Sequence, residues 1–112
     1  MFLLDCTIRD GGYVNNWEFS NDEVIQCYDA VTKAGFTYFE IGFRTNKNNC
    51  GKGKWFYSIE EDIKKVKDTI KNGCKISLMT RIEDNNLDLN SFIPCEKSSI
   101  DMVRVFLTYE ND

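Results

Sequence analysis

Near its N-terminus the chain carries Asp5-Cys6-Thr7-Ile8-Arg9-Asp10-Gly11-Gly12, which sets a guanidinium, a carboxylate and two glycines side by side. Asp10 is a hard oxygen ligand of the kind that Mg²⁺ or Mn²⁺ selects. Arg9 offers a planar set of N–H donors suited to an oxyanion that develops during a reaction. The glycines permit a tight turn and the close backbone approach that a small ligand needs. A plain salt bridge closing a strand end would use the same Arg-Asp pair, so residue types alone leave both readings open.

The elements that must position these residues follow from the pattern. The apolar run Phe2-Leu3-Leu4 predicts a buried first strand delivering Arg9 and Asp10 to its C-terminal end, where parallel α/β folds place their chemistry. A loop is predicted over residues 11–19, holding Tyr13, Asn15, Asn16 and Trp17. Ser20-Asn21-Asp22-Glu23 has capping-box form. Val24, Cys27, Tyr28, Val31 and Ala34 then recur at helical spacing until Gly35. Phe36-Thr37-Tyr38-Phe39-Glu40-Ile41-Gly42, rich in aromatic and branched residues, predicts the second strand.

A long polar loop follows from Phe43 to Tyr57, and Ser58-Ile59-Glu60-Glu61 repeats the capping-box pattern. The helix it opens would place Ile59, Ile63, Val66 and Ile70 on one face and end at Asn72-Gly73. Residues 74–80 predict a third strand. Residues 84–92 are polar and weakly helical, Pro94 bars a regular helix from continuing, and residues 101–107 predict a fourth strand.

Strands alternating with helices imply right-handed crossovers and a parallel sheet. The expected fold class is α/β: a parallel (β/α) half-barrel, the first four strands of a TIM barrel that typically needs about 250 residues. Residues 1–112 would form the N-terminal part of that one domain, and a small open four-stranded sheet is the structural alternative. Unpaired edges at strands one and four predict self-association or pairing with a C-terminal barrel half. In this frame Glu40 stands at the end of strand two, beside strand one, where it can orient Arg9. It can equally be a structural partner of Arg9 or of Arg44.

The string from Asp5 to Gly12 resembles the opening signature of the metal-dependent aldolase and acyl-lyase superfamily. That superfamily includes hydroxymethylglutaryl-CoA lyase, isopropylmalate synthase and 4-hydroxy-2-oxovalerate aldolase. The continuation Gly12-Tyr13-Val14-Asn15-Asn16-Trp17 looks most like its aldolase-like branch. The resemblance implies a TIM barrel that makes or breaks a carbon–carbon bond next to a small 2-oxo acid, with Mg²⁺ or Mn²⁺ as cofactor. It implies that Arg9 stabilises the enolate, Asp10 binds the metal and Glu40 is the supporting carboxylate. Only the first dozen residues carry the motif; the rest agrees in element order.

Two departures bear on activity. The family's metal also takes a His-x-His pair from a late strand, and this chain has no histidine. Where the oxovalerate aldolase branch has a histidine base, this chain has Tyr13, whose reference pKa of about 10 suits neutral pH poorly; the base is unassigned. Two functions therefore compete. One is an aldolase or lyase active only with the other barrel half; the other is a non-catalytic remnant or assembly module that pairs through open strand edges. A small oxo-acid or sugar-phosphate binding domain is a third.

A net charge of −4 argues against a nucleic-acid surface. The five cysteines are widely spaced and odd in number, which favours reduced thiols over a disulfide framework. Met1-Phe2-Leu3-Leu4 is too short for a signal-peptide core or a membrane span, so a cytoplasmic protein without membrane contact is expected. Gly51-Lys52-Gly53-Lys54 lacks the spacing of a phosphate loop and reads as a flexible loop. Trp17, Trp55, Phe56 and Tyr57 can line a ligand pocket or pack down over the core. Cys6 reads as a small core residue rather than a nucleophile.

Overall fold

A computed structural model describes residues 1–45, 51–81 and 92–106. Its four strands are β1 (Leu4–Asp5), β2 (Tyr38–Phe43), β3 (Lys75–Arg81) and β4 (Met102–Phe106). They form one sheet in the order β1-β2-β3-β4, and every neighbouring pair is parallel. The expected α/β half-barrel topology is therefore present. Among the described residues three α-helices accompany it: α1 (Thr7–Asn15), α2 (Asn21–Lys33) and α3 (Glu60–Lys67). The weakly helical stretch expected over 84–92 lies outside the described residues except at Phe92. No described helix is long and apolar enough to cross a membrane.

The N-terminal expectation needs correction. Phe2 is 80% exposed and Leu3 is also open, so the opening apolar run is not a buried strand. The strand is only two residues long, and Arg9 and Asp10 sit in the first turns of a helix instead of at a strand end. The cause is local. Asp5 turns back to accept the Thr7 amide at 3.1 Å and the Thr7 hydroxyl at 2.8 Å. That turn ends the extended backbone and satisfies a donor at the start of α1. Cys6, the residue preceding the helix, is accordingly not in a strand interior.

Nor do the two glycines make a loop, since both lie within α1. A Cβ on Gly12 would stand 2.0 Å from the Trp17 ring, so glycine there admits the indole against the helix. The helix ends with Asn16 at φ 61° and Trp17 at φ 58°. Asparagine visits this left-handed region readily, whereas a bulky tryptophan does so only when its surroundings hold it. Here the indole Nε1–H donates to the Arg9 carbonyl at 2.9 Å, and the ring packs against Tyr13 and Phe56.

The first capping box forms as expected. Ser20 Oγ accepts the Glu23 amide and the Glu23 carboxylate accepts the Ser20 amide, a device worth about 1 kcal/mol. The second does not. Helix α3 is preceded by Ile59, Ser58 instead donates to the Trp55 carbonyl at 2.9 Å, and Ile59 is exposed. The Glu60 carboxylate instead accepts from Ser98 Oγ and the Ser99 amide, tying α3 to the chain that leads into β4.

The core gathers Val24, Tyr28 and Val31 from α2, Ile63 and Val66 from α3, and Phe39, Ile41, Ile76 and Leu78 from the sheet. Trp17 and Trp55 are also buried, so the loop aromatics do pack down over the core. Gly53 lies directly against the Trp17 carbonyl, and Lys54 bonds to the Asn21 side-chain oxygen. That packing accounts for Gly53 and Lys54.

Candidate functional site

Strand alternation sends Phe39 into the helix-covered core and Glu40 to the other face. The β2–β3 register then slips between Glu40 and Gly42. A bulge of this kind re-aims the side chains beyond it. Phe43 thereby comes to lie on the Glu40 side, with its ring 5.8 Å from the Arg9 guanidinium carbon.

Glu40 is wholly inaccessible to solvent, yet it is fully partnered. Arg9 Nε donates to Oε1 at 3.0 Å. Arg104, from β4, donates Nε to Oε2 at 2.7 Å and Nη2 to Oε1 at 2.6 Å. Ser77, from β3, donates its hydroxyl to Oε2 at 2.9 Å. Burial alone pushes the Glu40 pKa up. The hydrogen bonds from Arg104, Ser77 and Arg9, with the Arg104 charge, outweigh that and hold it below the usual carboxylate range. The same pairing raises the Arg104 pKa, so its charge is fixed.

The expected Arg9–Glu40 juxtaposition is therefore present. Arg44 is not part of it: that guanidinium is buried elsewhere, donating to the Ser58 carbonyl and lying 3.9 Å from Glu60. Asp10 sits beside the cluster, its Oδ1 accepting from Arg9 Nη1 at 3.3 Å, with a side chain 67% exposed. It offers one hard oxygen. No group of three His, Cys, Asp or Glu side chains among the described residues can close around a cation. The Mg²⁺ or Mn²⁺ site implied by resemblance does not fit these residues by themselves, because such ions need several protein or substrate ligands.

Arg104 and Ser77 were not singled out from the sequence. Arg104 had a signal: a lone charge at the centre of Met102-Val103-Arg104-Val105-Phe106 must face a partner or solvent. Ser77 had none, since a serine in a strand usually needs no ion to explain it. Among the described residues, Arg9 Nη2 and Arg104 Nη1 have no acceptor. Two guanidiniums anchored on one buried carboxylate, each with N–H groups left over, make a fixed cationic site able to take a planar anion.

Comparison with known proteins bears on the fold that carries these residues. The chain matches a crystal structure described as the N-terminal domain of a putative aldolase from Bacteroides vulgatus, with a TM-score of 0.79 and 31% identity. The match covers 94% of this chain and 35% of that one, so the chain spans about a third of that neighbour. A 40-residue stretch is 40% identical to an oxaloacetate decarboxylase of Mycobacterium tuberculosis, covering 36% of this chain and 12% of that protein. No protein-family model matches. The likeness is thus to proteins of aldolase and lyase type, and it does not distinguish a branch among them.

Proposed function

We propose that the chain supplies the cationic wall of an aldolase- or lyase-type site that acts on a 2-oxo acid by holding its enolate. The observation that carries this reading is the anchoring of Arg9 and Arg104 on the one buried carboxylate, Glu40, with donors of both left over. Retro-aldol cleavage of a 4-hydroxy-2-oxo acid breaks the C3–C4 bond. Its electron pair passes to C3 and on to the oxo oxygen, while the C4 hydroxyl gives its proton to a base. Decarboxylation of oxaloacetate leaves an enolate of the same kind. One device, a fixed guanidinium at the oxo oxygen, would therefore serve an aldol cleavage of this kind and a decarboxylation alike.

In this reading Arg9 is the catalytic residue that meets the oxyanion, and Arg104 holds the substrate carboxylate. Glu40 is a positioning residue that keeps both guanidiniums in place. Fixed donors of this kind are worth about 10²–10³ in rate when aimed at developing charge. The Tyr13 hydroxyl has no hydrogen-bond partner among the described residues, and no proton transfer is assigned to it. The role proposed for Arg9 does not depend on a metal at Asp10.

Oxalate, a planar stand-in for the enolate of pyruvate, tests the reading by titration calorimetry. It should bind the chain, and Arg9→Gln or Arg104→Gln should weaken it at least tenfold. Absence of oxalate binding would sink the proposal.

A second reading, an assembly module, is favoured by the strand edges. Among the described residues β1 pairs only with β2 and β4 only with β3. The outward side chains of β4, Val103 and Val105, are also exposed. We propose that these edges are completed by further β/α units, whether from another chain or a second copy. Light scattering tests it: a strictly monomeric chain at high concentration would count against the second copy.

A further inference from the structure

The Glu40 side of the sheet carries a second chemistry next to the guanidiniums. The Phe43 ring lies 5.8 Å from the Arg9 guanidinium carbon. Phe106, from β4, meets Phe43 at 6.3 Å between centroids, and Tyr13, from α1, meets it at the same distance from the helix side. Phe43 itself is buried, whereas Tyr13 is 66% exposed and Phe106 is half-buried. The Arg81 guanidinium lies over Phe106 with its carbon 4.9 Å from the centroid, closing the far end of this aromatic row.

A row of this sort is more than the sheet needs for its own packing, since Tyr13 keeps most of its surface in water. It starts where the cationic site ends. A 2-oxo acid held by its carboxylate and oxo oxygen projects its remaining carbon chain two or three bonds from the guanidinium. From the Arg9–Arg104 pair that chain would run along Tyr13 and Phe106, the rings that cover the buried Phe43. The rings are fixed from behind: Trp17 and Phe56 each pack against Phe43, and Trp17 is itself held by Gly12 and the Arg9 carbonyl.

We propose that the site is selective for 2-oxo acids bearing an aromatic or branched apolar group. Arg9 and Arg104 would hold the oxo-acid head, and Tyr13 and Phe106 would flank the tail. The inference rests on the head-group reading given above and adds the substrate class. One well-placed apolar group in such a pocket is worth roughly tenfold or more in discrimination.

Calorimetric titration of the whole chain with phenylpyruvate and with pyruvate tests it. Phenylpyruvate should bind at least tenfold tighter. Tyr13→Ser and Phe106→Ser should bring it down to the level of pyruvate while leaving pyruvate binding unchanged. Both are surface or half-buried positions, and circular dichroism is the check that the variants fold. Equal affinity for the two acids, with both lost in Arg104→Gln, would overturn the tail inference and leave the head-group reading standing. Phenylpyruvate binding that survives Arg9→Gln and Arg104→Gln would be adsorption to apolar surface and would overturn it too. Failure of both acids to bind takes the head-group reading down with it.

Discussion

Arg104 grips Glu40 with two parallel hydrogen bonds, at 2.7 and 2.6 Å, across a sequence separation of 64 residues. Bidentate pairing is the strongest geometry available to these two groups. It places the fourth strand under the same constraint as α1, because Arg9 donates to the same carboxylate.

Replacing Glu40 by Gln should therefore cost more than the loss of a surface ion pair. The isostere leaves two guanidiniums facing a neutral amide in a buried place. Removing one partner of a buried pair typically costs about 3–5 kcal/mol. Urea unfolding is expected to show a loss of that order, with Arg104→Gln losing less because its side chain is partly exposed. A Glu40→Gln chain as stable as the parent would mean the cluster is not formed in solution.

The same group predicts an acid limb. Its folded pKa lies below the usual carboxylate value, so the unfolded chain binds the proton more readily. Its stabilisation is fully present above the unfolded carboxylate pKa and is lost as pH falls through the depressed folded value. Thermal unfolding from pH 6 downward should steepen in the parent relative to Glu40→Gln. Parallel curves would contradict the assignment.

Gly12→Ala should destabilise the chain by about 1–3 kcal/mol, since the added methyl meets a ring that cannot yield without moving the Arg9 carbonyl it bonds. Tryptophan fluorescence reads the displacement directly. An unshifted emission band with unchanged stability would show that the indole packs elsewhere.

Mn²⁺ should leave the melting temperature of the chain alone unchanged at low millimolar concentration. A bound ion at a hundredfold excess over its dissociation constant would add about 2.7 kcal/mol. A clear upward shift that disappears in Asp10→Asn would show that Asp10 recruits enough ligands to make a site.

Strand order and parallel pairing were legible because apolar runs alternate with amphipathic stretches at lengths that only a β/α repeat accommodates. Arg9 and Glu40 were legible as neighbours for the same reason. What escaped was set by side chains with more than one possible partner, some near in the chain and some far. Asp5 capping Thr7 turned an expected strand end into a helix. Ser58 bonded to Trp55, so the second capping box never formed, and Glu60 was left to Ser98 and Ser99. Arg104 declared only that it needed a partner; which one depended on β4 lying two strands from β2.

The sequential strand order also fixes a direction of assembly. Each strand can dock on one that precedes it in the chain, so the sheet can grow from the N-terminus as synthesis proceeds. Until β4 docks, Glu40 has only Arg9 and Ser77 beside it. A nascent chain that stops short of residue 104 thus holds an under-neutralised acid on an open sheet face, and it takes up a proton more readily than the finished one. Arrival of the fourth strand brings Arg104 to Glu40 and so sets the charge of the site.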